Sequence, residues 1–577
     1  MRHKILVIYV IYPIEYIRIF SFNEGMAVKS QRDTAYEVQW RRKKESKWYP
    51  ALFLVYLGFA LTYLIWRTTI INWHVWYGCL VYAAELYGIV TTSLFLFVTQ
   101  KVYLPVAHKP KRKPIVDVLI PTYSEPVSVL EPVVIGAKKI RGRRNILVLD
   151  DGNRPEIKAM AKRLKVLYFP RTTNLHAKAG NLNNGLQHTD AELLITLDAD
   201  HIPIRSFIEE TAGFFEDPMV AFVQSPQTFY NTSSFLFRKR FKKHDWSEQI
   251  MFYDCIQPAK NNWNAAFFVG TSAMLRRKAL DSVGGFATGT ATEDIHTSLK
   301  LHAKGWVSVF LPKPLAYGLE AESLKEFYKQ RKRWAAGSLG LLFRSEDSPL
   351  RAKGLTISQR LNYISACLAH LQGVQKVCFF LAPLLTIVTA RSPITGNVFA
   401  YSIFFLLYCS VALSATWLYS RSTYHFIYTE AYSLASMLAH FGGIMGVIKV
   451  QKKFAVSIKT ANRKGRTWLH VPLWTLYVAG LIGLTRAIGL IFIARQHSAL
   501  LVYSTMFLLL NSTFLLAFLL PLRIYETKVP QDPVYKNLKP TAMYNFIVKS
   551  AEAPDPIETS DSTTKKLTRE VPLTETY

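Results

Sequence analysis

The sequence predicts a mixed architecture, an α/β domain built from βαβ units and held between transmembrane α-helices. Three observations predict it. Apolar runs of span length lie on both sides of a polar block. That block, roughly residues 101–345, alternates short β-branched runs with helical patterns. Basic clusters flank the apolar runs on one side only. At 577 residues the chain has room for two or three structural units.

The apolar runs come first. Stretches of about 20 apolar residues match the hydrocarbon thickness of a bilayer, and they place spans at 49–67, 75–98, 368–389, 397–419, 467–493 and 499–522. Buried helices of a large soluble protein are the alternative, but Ala51–Trp66 and Ser504–Leu522 carry too little polar surface for it. The net charge of +30 is unevenly placed. Lys29, Arg32, Arg41, Arg42, Lys43, Lys44 and Lys47 precede the first span, and Lys449, Lys452, Lys453, Lys459, Arg463, Lys464 and Arg466 precede the fifth. Loops 69–74, 391–397 and 495–498 carry little positive charge. The positive-inside bias then puts both termini and the central block in the cytoplasm of a multi-pass protein. Charges that flank spans fit anionic lipid better than nucleic acid, so no nucleic-acid partner is expected. The five cysteines show no CxxC spacing, which gives neither a zinc site nor a disulfide framework. Pro13, Glu15 and Arg18 interrupt the first 25 residues, which read as an amphipathic helix or a stretch upstream of Met26 as initiator, not as a signal peptide.

Within the central block, Pro114–Pro121, Asn145–Leu149, Leu164–Phe169 and Leu193–Leu197 read as strands, each followed by a polar turn and a helical pattern. Such alternation implies a mostly parallel sheet whose ligand crevice lies at the carboxyl ends of its strands. The chain therefore divides into a basic segment (1–48), two spans (49–100), the α/β domain (101–321), amphipathic interfacial helices (322–366), two spans (367–420), a second interfacial segment (421–466), two spans (467–522) and a tail (523–577). The tail is rich in Ser, Thr, Pro and Glu, so it is expected to be largely disordered.

The chemistry-bearing residues sit at those strand ends. In Pro121–Pro126, Tyr123 can stack on a base and Glu125 can accept a hydrogen bond from one. Asp150 and Asp151, followed by Gly152, suit ribose or base recognition, although Asp and Gly are also ordinary turn formers. Asp198 and Asp200 stand two residues apart after an apolar strand. Both can reach one hard cation such as Mg²⁺, or they form a solvated loop. Asp294, in Thr292-Glu293-Asp294, reads as a general base or as an N-terminal helix acid. In Gln330–Trp334, Arg333 can pair with pyrophosphate and Trp334 can offer a face to a sugar ring. A basic interfacial helix with a Trp anchor fits the same residues.

Taken together and in this order, these segments resemble the processive family 2 glycosyltransferases, nearest to bacterial cellulose synthase catalytic subunits. The resemblance is carried by IPTYSEP (120–126), LDDGNR (149–154), HAKAGNLN (176–183), LDADHIP (197–203), VQSPQTFYN (223–231), TEDIHTSLKLHAKGW (292–306), QRKRW (330–334) and SQRLNY (358–363), across roughly residues 50–525. It implies a GT-A glycosyltransferase domain and a β-glucan made from UDP-glucose with Mg²⁺, or with Mn²⁺ in its place. The implied donor site holds Tyr123, Glu125, Asp150, Asp151, His176, Lys178, Asp198, Gln330, Arg333 and Lys459. The implied metal ligands are Asp198 and Asp200, the base Asp294, and the acceptor contacts Trp334, Glu293, Thr292 and Thr271. Phe454, Val456, Ser457 and Lys459 are similar to that family's FxVTxK gating loop, with Ser457 in place of Thr. The resemblance also implies translocation of the growing glucan across a bacterial inner (plasma) membrane, often with an accessory periplasmic subunit. Glu85, Gln375, Lys376 and Arg486 are channel candidates or structural interhelical pairs.

There are departures from the family. Only two spans precede the domain, and Phe267–Thr271 (FFVGT) stands where FFCGS is usual. The segment after the last span is too short for a PilZ barrel and lacks DxSxxG, so cyclic-di-GMP binding by this chain is not expected. Cellulose leads as the product, with β-1,3-glucan and mixed-linkage glucan as alternatives. A non-processive lipid-linked sugar transferase and a transporter are further readings.

Overall fold

The computed structural model describes residues 38, 40–42, 48–231, 234–238, 246–448, 468–495, 498–528 and 540–545. Among these, six helices are long and apolar enough to cross a membrane, spanning Tyr49–Thr69 (α1), Trp76–Val98 (α2), Ile357–Thr389, Val398–Tyr419 (α10), His470–Ile493 and Ala499–Glu526. The third is made of two helices, Ile357–Leu368 (α8) and Gln372–Thr389 (α9), joined by a tighter turn at Ala369–Leu371. The last, α14, is helical as far as Lys528, beyond the expected end at 522. Small residues let these helices approach closely, as is usual in membranes. A side chain at Gly88 would fall 2.6 Å from the Gln375 amide, and one at Gly483 2.5 Å from Leu384.

The polar block folds around a seven-stranded sheet. Its strands are β1 (Val116–Thr122), β2 (Ile146–Asp150), β3 (Leu167–Pro170), β4 (Leu193–Thr196), β5 (Val220–Gln224), β6 (Ala273–Arg276) and β7 (Val307–Phe310), in the order β7-β5-β6-β4-β1-β2-β3. The first four strands are the four expected, and they are mutually parallel. Strand β6 runs antiparallel to both neighbours, with Ala273 opposite Thr196 and Gln224. An antiparallel strand starts where its parallel neighbours end. The segment before β6, residues 267–272, therefore reaches the same edge as the ends of β1, β2 and β4. Every residue of β1, β2, β4, β5 and β6 is buried, as a sheet covered on both faces requires. Helices α3 (Val127–Lys139), α4 (Pro155–Leu164), α5 (Ala177–Leu186) and α6 (Glu293–Ala303) belong to this domain.

Helix α7 (Leu324–Phe343), which carries QRKRW, joins the sheet domain to the membrane helices. Ser323 caps it by accepting the Glu326 amide. On one side a β-carbon at Gly337 would lie 2.5 Å from the Thr292 hydroxyl and 2.8 Å from the Thr292 backbone nitrogen. On another, Gly443 of α12 (Met437–Ile448) faces Ala335, where an added β-carbon would lie 2.4 Å away. The interfacial helix α11 (Phe426–Ala435) precedes α12.

Within the tail expected to be largely disordered, but ahead of its last thirty residues, residues 540–545 are helical, and Met543 and Tyr544 are buried in the sheet-domain core. The Lys139 ammonium lies 4.0 Å from the Tyr544 ring centre. The pattern of Ser, Thr and Pro in the tail hides these two anchors.

Of the membrane channel candidates, Glu85 is fully enclosed. It pairs with Arg67 at 2.8 Å and accepts hydrogen bonds from Tyr63 (3.0 Å) and Tyr401 (2.9 Å). The Gln375 amide donates to the Ala84 carbonyl, Lys376 pairs with Glu430, and the Arg486 guanidinium donates to the Ile387 carbonyl. These contacts give all four interhelical structural partners.

Arg67→Met strands a buried carboxylate, a change worth about 3–5 kcal/mol. It is expected to lower the thermal unfolding midpoint of the detergent-held protein, with Arg67→Met/Glu85→Leu recovering most of the loss; a double-variant loss equal to the sum of the Arg67→Met and Glu85→Leu losses would show that the pair carries no coupling. Gly337→Ala is expected to destabilise by about 1–3 kcal/mol through overpacking. Gly340→Ala, whose β-carbon meets nothing within 4 Å, serves as the neutral control in the same melt.

Candidate active site

The shared strand edge collects the expected motifs. After β1, the Glu125 carboxylate turns back to accept the Thr122 hydroxyl (2.8 Å) and the Tyr123 amide (2.9 Å), which leaves the Tyr123 ring exposed at the rim. After β2, the two aspartates separate in role. Asp150 is fully buried and takes hydrogen bonds from the Gly152 amide (3.0 Å), the Arg154 amide (2.7 Å), the Arg154 side chain (3.0 Å) and the Tyr168 hydroxyl (3.0 Å). Its carboxylate is saturated from within, so it builds the loop rather than facing a ligand. Asp151 accepts from Arg171 at 2.5 Å, and burial nevertheless pushes its carboxyl above the usual range. Arg171 also donates to the Leu175 (2.8 Å) and Ala177 (3.0 Å) carbonyls, closing the loop that leads to α5. That closure requires Gly180, where a β-carbon would lie 2.1 Å from the Leu175 oxygen. His176 is exposed, in the left-handed region (φ 59°), at the start of α5.

Lys178 is the hub. Its ammonium pairs with Asp198, donates to the Gly270 carbonyl at 2.8 Å and lies 3.8 Å from Glu293. Burial weakens the ammonium, but Asp198 and Glu293 outweigh that and raise its pKa. The approach is allowed by Gly270 (φ 89°), whose missing β-carbon would stand 3.2 Å from Lys178 Nζ and 3.3 Å from Asp294 Oδ2. Asp294 accepts the Ile295 amide at 2.8 Å in the first turn of α6. It is partly covered at the floor of the cleft. Burial, then the Glu293 carboxylate, push its pKa up to about 7, against the pull of the Ile295 amide, Lys178 and Arg333. A carboxyl of that pKa is a serviceable base near neutral pH.

Asp198, Asp200 and His201 each place a ligand atom within 4.8 Å of the others. Two hard carboxylates with one imidazole suit Mg²⁺ or Mn²⁺ in donor chemistry. His201 is buried, bonds Asp200 through Nδ1 at 3.1 Å and is packed on Gly318, which orients the carboxylate. The Asp200 carboxylate also accepts the Leu319 amide at 3.2 Å.

Two of the expected acceptor contacts are internal. The Thr271 hydroxyl is buried and accepts the Asp198 amide at 2.8 Å, so it fixes the metal-type turn. Thr292 is buried against Gly337. On α7, Gln330 accepts from Arg331 at 2.9 Å, and Trp334 is half-buried beneath the Arg331 guanidinium. Arg333 lies close enough for its charge to act on Asp294. Phe454, Val456, Ser457 and Lys459 lie outside the described residues. Sequence reasoning missed Arg154, Arg171, Gly270 and Arg331. Arg154, Gly270 and Arg331 lie inside the segments LDDGNR, FFVGT and QRKRW, which was a visible signal, whereas Arg171 had none.

Residues 193–420 match the family described as Glycosyl transferase family group 2. Cellulose synthase 1 of Komagataeibacter xylinus is 39% identical over 342 residues, covering 56% of this chain and 22% of that protein. The UDP-forming cellulose synthase 1 catalytic subunit of the same organism is 35% identical over 421 residues, with 69% and 56% covered. The UDP-forming catalytic subunit of Pseudomonas fluorescens is 36% identical over 347 residues, with 58% and 47% covered. The chain thus spans about half the length of the catalytic-subunit relatives it matches. A solved mannosyltransferase from Pyrobaculum calidifontis, in complex with GDP-Man and Mn²⁺, aligns at a TM-score of 0.45 and 16% identity over 70% of this chain and 99% of that one. The sheet-edge residues from Asp198 to Trp334 lie inside the block, residues 193–420, that is similar to Glycosyl transferase family group 2, and those from Tyr123 to Lys178 precede it.

Proposed function

We propose that this chain is a processive, inverting glycosyltransferase of the inner membrane that polymerises glucose from UDP-glucose into a β-glucan, cellulose above all, and passes the chain across the bilayer. The observation that carries the reading is the Lys178 cluster. It draws the Asp198 turn and the Glu293–Asp294 helix start to one sheet edge, while α7 brings QRKRW to the same place from the membrane side.

In this reading Tyr123, Glu125, Asp151 and His176 line the uridine side. Lys178, Gln330 and Arg333 face the diphosphate, and Glu293 and Trp334 the acceptor. Asp198 and Asp200 hold a divalent cation, Mg²⁺ or Mn²⁺, which when bound neutralises charge on the departing diphosphate. The Asp294 carboxylate accepts the proton of the acceptor hydroxyl. The hydroxyl oxygen bonds to the anomeric carbon as the bond from that carbon to the diphosphate breaks, and UDP leaves. One displacement inverts an α-linked donor to a β-linkage. Segment 454–459 closes over the donor, the catalytic domain is cytoplasmic, and the growing glucan leaves between the apolar helices, with an accessory periplasmic subunit as an outside partner.

Detergent- or nanodisc-held protein given radiolabelled UDP-glucose and Mg²⁺ is expected to make insoluble polymer that a β-1,4-glucanase releases. Release only by a β-1,3-glucanase would assign a curdlan-type product. Single-sugar products would overturn processivity. Chelation with EDTA and Asp294→Asn should each abolish turnover, while Asp294→Asn retains UDP binding. If Asp294→Asn matches the wild type, the base assignment fails.

The proton acceptor must be ionised, so kcat/KM is expected to rise with pH through about 7 and to fall about tenfold per pH unit below it. A flat profile between pH 5.5 and 8 would contradict Asp294 as the base.

A further inference from the structure

Arg331, the position after Gln330 in QRKRW, has no role in the reaction described above, yet it is one of the most enclosed charged side chains of α7, with 3% of its surface exposed. Its guanidinium carbon lies 4.2 Å from the Trp334 ring centre and 5.0 Å from that of Phe327. The same guanidinium donates to Gln330 Oε1 at 2.9 Å. On its far side it makes a two-point ion pair with Glu248, through Nη2 to Oε2 and through Nε to Oε1 at 3.3 Å. Positions 327, 331 and 334 fall on one helical face, so the flat cation is stacked between two rings of its own helix.

We propose that Arg331, locked by Glu248, is a positioning residue that fixes Gln330 and the indole of Trp334, the platform for the terminal acceptor sugar. This rests on the glycosyl-transfer reading. Three features favour positioning over simple burial of a charge. A guanidinium stacks face-on and still forks to a carboxylate, which an ammonium cannot do. Glu248 comes from a segment outside α7, whose Trp246 packs on Tyr428 and Tyr432, so the ion pair sets the helix's side chains relative to that segment as well as to each other. Finally, the one cation touches two of the motif's residues, Gln330 and Trp334, so a single displacement would move both.

The test uses the full-length protein labelled with 5-fluorotryptophan, the Trp334 fluorine resonance being assigned by its loss in Trp334→Phe. Arg331→Met and Glu248→Gln are each expected to shift or broaden that resonance while leaving the other tryptophans in place. Arg331→Lys, which keeps the charge but not the plane, should restore the ion pair without restoring the resonance. In the polymerisation assay, Arg331→Met is expected to lower kcat roughly 10- to 100-fold and shorten the product, with UDP affinity weakened by less than that, because only Gln330 of the displaced pair faces the diphosphate. An unmoved Trp334 resonance in Arg331→Met overturns the proposal, as does wild-type turnover and product length. A parallel loss of UDP affinity and of all tryptophan resonances would reassign Arg331 to general folding and also overturn it. A wild-type protein inert toward UDP-glucose would sink the glucan reading, and the fluorine resonance would still decide this one.

Discussion

The structure depends on one close crossing, where α7 meets the first turn of α6 with Gly337 against Thr292. A helix backbone approaching another at this distance has no room for even a methyl group. The two helices follow one another in the chain, with Asp294 on the first and Gln330–Trp334 on the second. Their relative position is therefore set by backbone contact, which is stiff, rather than by long side chains, which are not. On its other side α7 is held just as closely by Gly443 of α12, so it cannot retreat from α6 without disturbing the membrane-facing helices.

That crossing concentrates negative charge. Asp198, Asp200, Glu293 and Asp294 converge near the sheet edge, and two carboxylates about 4 Å apart repel by about 4 kcal/mol at an effective dielectric of 20. The fold meets this in two ways. Lys178 reaches Asp198 and Glu293 together, and Asp294, farther from that ammonium, responds by holding its proton more tightly. The separation of roles follows from the geometry. Asp198 is ion-paired with Lys178, whereas burial and the Glu293 carboxylate raise the Asp294 pKa to about 7.

Much of this was legible in the residues. The four strands read from β-branched runs are the parallel core of the sheet, because burial on both faces leaves an unbroken apolar signature. The six spans were equally plain. Less legible was anything that depends on partners distant in sequence. Asp150 and Asp151 are adjacent and chemically identical, and only the positions of Arg154, Tyr168 and Arg171 decide that the first faces inward and is saturated. Glu85 read equally as a channel residue or an interhelical pair, and only Arg67, Tyr63 and Tyr401, distant in sequence, decide for the pair. Met543 and Tyr544 are two apolar residues in a polar tail, too few for periodicity to register. The antiparallel strand β6 also escaped, although it explains why Gly270 and Thr271 reach the site at all.

The sheet domain and the apolar helices are held together as one body. Residues 255–264 bolt them together with bonds that each cross the boundary. The Cys255 thiol donates to the Tyr419 carbonyl at the end of α10, and the Trp263 indole donates to the Val98 carbonyl at the end of α2. The Lys260 ammonium donates to the Asn362 carbonyl of α8, and the Gln359 amide returns a bond to Asn264. Lys260 is wholly buried, and that burial pulls its pKa down to about 7, so the contact is maintained at the expense of an ordinary lysine's charge preference. A hinge would tolerate none of these, since each closes a buried donor on a specific backbone carbonyl and would leave it unsatisfied on opening. The consequence is that the sheet domain does not swing relative to the apolar helices. With these bonds in place, the sheet edge that carries Asp198 and Asp294 keeps a fixed position relative to α2, α8 and α10.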